Sequence, residues 1–195
     1  TLSYGRWAML RKVEINCEKC FNNLKANSHK WGIGDHEWER AITRDYYLPV
    51  FDCGNPLPTN LISEEALSAW FNREHDKIVT DHCFSPQFMG RFVMDNADIY
   101  LTDYEKFRSL FIVALTTIQV TDKQNTLLRS LTKNRNGIFK IKKATHKKYN
   151  HLGINLYRKE DNQSWDKSIP TGNILSEIIY VPQELIEYEK QYLTT

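Results

Sequence analysis

Apolar positions along the chain fall first into helical periods. Trp7, Leu10, Val13, Cys17, Cys20, Phe21 and Leu24 recur at intervals of three and four, which predicts an amphipathic helix within residues 4 to 31, stopped by Gly32-Ile33-Gly34. Asp35 stands as the N-cap of a helix through Arg44, and the proline-bearing stretch Tyr46 to Pro58 reads as a loop packed across the core. Ser63 caps a short helix with Leu67, Trp70 and Phe71 inward, ending near His75. Ile78-Val79 is a short strand, Asp81-His82 a polar break at its exit, and Ser85-Pro86 the start of a helix to about Asn96 with Phe88, Phe92 and Val93 facing inward. Asp103 caps a helix that passes Phe107, Leu110, Phe111 and Leu115 and turns into Ile118-Gln119-Val120.

Thr121 caps the next helix, carrying Leu127, Leu128 and Leu131, and Asn134 to Gly137 forms a turn. Ile138-Phe139-Lys140-Ile141-Lys142 alternates apolar with basic, the pattern of a half-buried strand with a positive outer face. Lys143 to Gly153 reads as a short helix, residues 159 to 172 as a polar loop, Ile178 to Val181 as an edge strand, and Pro182 as the first turn of a final helix through Leu193. The pattern predicts a helix-rich α+β fold with a small antiparallel sheet. At 195 residues it fits a single domain, organised as a helical part over 1–62, a central core over 63–157, and a loop with a C-terminal helix over 158–195.

Charge changes this picture more than composition does. The net charge is only +2, but seven Lys or Arg lie between Lys133 and Lys148, and no acid occurs from Lys133 to Gly153. Such a stretch is either a solvated face or a surface that meets phosphate, which makes DNA or RNA the expected partner. No run of about eighteen apolar residues occurs, so no membrane association is expected. The four cysteines are too sparse for a disulfide framework, and an intracellular, soluble protein in a reducing compartment is expected. Cys17 and Cys20 share a helix face as half of a structural Zn²⁺ site, or as two buried thiols. Cys83 beside His82 makes no nucleophile–base pair, because adjacent strand residues point to opposite faces.

Val79-Thr80-Asp81-His82 with Ser85-Pro86, then Val120 to Asn125, then Thr145 to Ile154, resembles the small phage-borne endonucleases of the HNH, or His-Me finger, class across roughly residues 75 to 157. The resemblance implies a ββα-metal-like core and a hydrolase that cleaves phosphodiester bonds with Mg²⁺ or another divalent ion. It implies His82 as general base, Asp81 and His146 as metal ligands, and Asn125 as the residue orienting the histidine-bearing loop. Lys140, Lys142, Lys143, Lys147 and Lys148 would grip the phosphates. A different class of function fits the same basic segment, namely a non-catalytic nucleic-acid-binding or assembly subunit.

Overall fold

In a computed structural model the described residues are 4–131, 134–135, 138–139, 144–171 and 181–193. The fold is helix-rich α+β, as the pattern predicts, and the chain forms two compact units. One unit comprises residues 1–56 and 84–115; the other comprises 57–83 and 116–195. The chain thus leaves the first unit, enters the second, and returns once to each.

The first unit is helical: α1 (Tyr4–Asn27), α2 (His36–Asp52), α4 (Pro86–Asp95), α5 (Ala97–Tyr100) and α6 (Tyr104–Ala114). Asp35 and Asp103 cap α2 and α6 as expected, each carboxylate accepting two backbone N–H groups of the first turn. Tyr46 sits at the centre of the core, fully buried, with Phe107 and Phe111 edge-on to its ring at 6.2 and 6.1 Å. The expected loop from Tyr46 is instead the last turns of α2, which continue through Pro49. A proline there denies Asp45 O its usual helical donor, and the thiol of Cys20 on α1 takes that place at 3.5 Å. The Cys53 thiol likewise donates to Pro49 O at 3.2 Å. Burial raises the Cys17 thiol to about 12 and the Cys20 thiol well above its ordinary value, so these cysteines are protonated core groups.

Gly90 on α4 allows close approach to α2. A Cβ there would stand 3.0 Å from Tyr46 Cβ and 3.2 Å from its Cγ, both in a fully buried ring system with no room to move. Gly90→Ala should therefore destabilise the fold by about 1–3 kcal/mol despite its gain in helix propensity. Urea unfolding of the two proteins checks this, and an unchanged midpoint would contradict it.

Among the described residues the second unit is built on a five-stranded sheet in the order β2-β3-β1-β6-β7, from β1 (Leu57–Ser63), β2 (Ile78–His82), β3 (Thr116–Thr121), β6 (Leu156–Arg158) and β7 (Ile169–Pro170). The sheet is mixed, not purely antiparallel: β1 runs parallel to β3, and the other pairs are antiparallel. β4 (Asn134–Arg135) and β5 (Ile138–Phe139) pair separately. The expected turn at Asn134 thus begins with a strand residue, and the polar stretch after 159 contributes β7. Around the sheet lie α3 (Glu64–Phe71), α7 (Asp122–Ser130), α8 (Lys148–His151) and α9 (Gln183–Leu193). The helix expected over 143–153 is confined to α8, with Gly153 in the left-handed region at φ 65° just beyond it.

Ser63 and Thr121 cap α3 and α7 as predicted, and Gln124 closes a capping box on α7. Gln124 Oε1 also accepts from Ser63 Oγ at 2.6 Å, which joins the two helix starts through one buried amide. The expected strand positions Ile178 to Val181 lie outside the described residues except for Val181, and Lys140, Lys142 and Lys143 lie outside them as well. Among the described residues no helix is long and apolar enough to cross a membrane.

Candidate functional site

β2 pairs antiparallel with β3 from Ile78↔Thr121 to His82↔Thr117, and β3 is its one sheet neighbour among the described residues. Asp81 and His82 are therefore the last residues of the strand and not a break after it. The Cys83 N–H donates to Thr116 O at 2.9 Å, which fixes the alternation of the ladder. The backbone groups of Asp81 face β3, and those of His82 point away from it. Side chains alternate too, so Asp81 and His82 leave opposite faces of the strand.

On the Asp81 face a compact polar cluster forms with α8. Asp81 Oδ2 accepts from Lys148 Nζ at 2.7 Å and from the Tyr149 hydroxyl at 2.6 Å. Lys148 Nζ donates a second hydrogen bond, at 2.5 Å, to His82 O on the side of the strand away from β3. Asp81 is 9% exposed, Lys148 5% and Tyr149 0%, so the ion pair is shielded from water and from salt. Burial drives the Tyr149 phenol well above its ordinary value and the nearby Cys83 thiol up to about 12. Both stay protonated at any physiological pH, which removes Cys83 as a nucleophile.

The two histidines singled out from the sequence share one electrostatic character. Burial lowers His82 to about 4, with Lys148 adding to the effect and Asp81 opposing it. Burial also lowers His146 to about 4, opposed by Glu189 and reinforced by Lys147. Both imidazoles are neutral at pH 7. His146 begins a turn held from the other side by α9, where the carboxylate of Glu189, 2% exposed, accepts from Ala144 N at 2.9 Å, Thr145 N at 3.0 Å and Thr145 Oγ1 at 2.7 Å. The turn over residues 144–149 is thus pinned between two buried carboxylates, Asp81 and Glu189.

These contacts redistribute the roles expected from the sequence. Lys148 does not present its charge to a phosphate, because Asp81 and His82 O already take its ammonium; Lys147 remains half-buried at the start of α8. Asn125 lies half-buried on α7, and among the described residues no hydrogen bond joins it to His82 or to the His146 turn. The donor set does not fit a divalent ion on Asp81 and His146. One carboxylate oxygen of Asp81 already serves an ammonium and a phenol, and a divalent ion there would meet the Lys148 charge at close range. Among the described residues no group of three or more His, Cys, Asp or Glu is arranged to hold a metal.

No protein-family model matches the chain, and no curated protein or solved structure matches it significantly. Tyr149 and Glu189 are the site residues that the sequence undervalued. For Glu189 a signal was present: with Leu185, Ile186 and Tyr188 buried around it, it is an acid on the apolar stripe of α9.

Proposed function

We propose that the protein binds a nucleic-acid strand and hydrolyses its phosphodiester backbone, with His82 accepting the proton of the attacking water. The observation that carries the reading is a neutral imidazole on the last residue of β2, whose backbone carbonyl is held by Lys148. The basic stretch Lys133 to Lys148 supplies the affinity for phosphate, through residues other than Lys148 itself. In the reaction the water oxygen forms a bond to phosphorus as the ester P–O bond breaks, the water's proton passes to His82, and the leaving oxygen keeps the bonding pair and takes up a proton from solvent. A phosphodiester near His82 adds negative charge that favours the imidazolium, offsetting the burial and the Lys148 charge that hold the free imidazole neutral.

The test is incubation of the full chain with supercoiled plasmid, single-stranded DNA and RNA at about 100 mM salt, with magnesium, with manganese and with a chelator. Cleavage is expected, and His82→Ala should reduce its rate by about 10²–10⁴-fold while leaving binding intact. Binding without cleavage under every condition would overturn the hydrolase and leave a nucleic-acid-binding subunit in its place. Cleavage unchanged in His82→Ala would overturn the assignment of the base.

A further inference from the structure

The two faces of the sheet in the second unit differ in kind, because residues paired across strands share a face and successive residues alternate. The Asp81 face carries Ile118 opposite Asp81 and Val120 opposite Val79, with Leu61 and Leu156 beside them. All but Val79 are 9% exposed or less, and Tyr149 and Lys148 seal the polar end. A ligand that reaches His82 therefore approaches on the opposite face. We infer that a phosphodiester is received on that face and that Gln119 of β3 is the residue that holds it, its carboxamide donating to a non-bridging phosphate oxygen. The catalytic consequence rests on the nuclease reading above, whereas the phosphate contact does not.

Register places Gln119 there. On this face His82 pairs with Thr117, while Gln119 stands between Thr80 on β2 and Ile62 on β1. Gln119 is thus the diagonal neighbour of His82, with Cβ atoms about 7 Å apart, a gap that one phosphate and its attacking water fill. α3 covers the far end of the same face. Ile62 packs with Ala66 and Leu67 of α3 and with Trp165, and Ile78 joins that cluster. His82 lies four residues beyond Ile78, about 13 Å along the strand, and Gln119 stands at the border between the apolar cluster and the imidazole. β3 has a sheet neighbour on each side, so this amide projects from the interior of the sheet, where the positions before and after it, Ile118 and Val120, are buried apolar residues. Gln119 itself is half-buried, and among the described residues its carboxamide makes no hydrogen bond. Two N–H donors set beside apolar side chains are costly to leave unused and well suited to phosphate oxygens. Gln124 supplies the contrast within the same unit: its amide is 5% exposed and committed to Ser63 and Thr121.

The experiment follows side-chain amide and imidazole signals of the full chain by NMR while a thymidine dinucleotide is added to about 10 mM, above a weak millimolar affinity. The Gln119 signals are assigned by their loss in Gln119→Met, or through the β3 backbone if that variant does not fold. The Gln119 amide and the His82 imidazole should shift together, and the Gln124 amide should stay in place. With plasmid or single strands as substrate, Gln119→Met should lower kcat by about 10²-fold, the usual loss for one donor to a developing charge, while the urea unfolding midpoint stays unchanged. If the wild type binds without cleaving, the nuclease reading fails and the shift alone decides the role of Gln119. If the wild type cleaves while the Gln119 amide stays unmoved, or Gln119→Met cleaves as fast as the wild type, the inference is overturned and the nuclease reading stands.

Discussion

Asp81→Ala should lower the free energy of unfolding by about 3–5 kcal/mol, the usual cost of breaking a buried ion pair from one side. The substitution leaves the Lys148 ammonium, 5% exposed, without a counter-charge among the described residues, and leaves the buried Tyr149 hydroxyl without its carboxylate acceptor. Most of this loss is the stranded charge and not the worth of the pair, because bringing both ions out of water offsets much of their attraction. The double variant Asp81→Leu/Lys148→Met should therefore recover most of the stability that Asp81→Ala loses. Urea unfolding of the three proteins checks both statements. A loss below about 1 kcal/mol for Asp81→Ala would mean that Lys148 reaches water, as an exposed pair would. The same comparison bears on metal chemistry: with Asp81 committed to Lys148, magnesium should leave the wild-type unfolding midpoint unchanged, since a ligand that binds the native state through Asp81 would raise it.

What could be read from the sequence was the local chemistry. Asp35, Ser63, Asp103 and Thr121 announce helix starts because a capping side chain satisfies N–H groups two or three residues away, a relation contained within one turn. What could not be read depended on distant partners. β1 carries Pro58 and a left-handed Asn60 at φ 57°, features that argue against a central strand, yet it lies between β3 and β6. The irregularity is absorbed by a register shift between Pro58 and Ile62 and by Thr59 Oγ1, which donates to Thr117 O at 2.7 Å. α2 passes Pro49 because a cysteine on another helix supplies the missing donor. Lys148 shows the same limit at the candidate site. Counted with its neighbours it is one more positive charge, and only the position of Asp81, on a strand far away in sequence, turns it inward.

Acidification from pH 7 to pH 4 should cost the fold about 2–3 kcal/mol for each of His82 and His146. In the folded chain burial holds both imidazoles at about 4, against an ordinary value of 6.5. Between these values the unfolded chain binds more protons than the folded one, so stability falls as pH drops through that window and is level above it. The two contributions lie on different structural supports: His82 on the tethered end of β2, His146 on the turn gripped by Glu189. His82→Asn and His146→Asn should each remove about half of the histidine-dependent decline between pH 6.5 and pH 4, and the double variant should leave only the part due to carboxylates. Unfolding free energies measured across this range would show it. A wild-type profile that stays flat down to pH 5 would mean that the imidazoles reach water and protonate at their ordinary affinity, so that burial contributes nothing to the pH dependence.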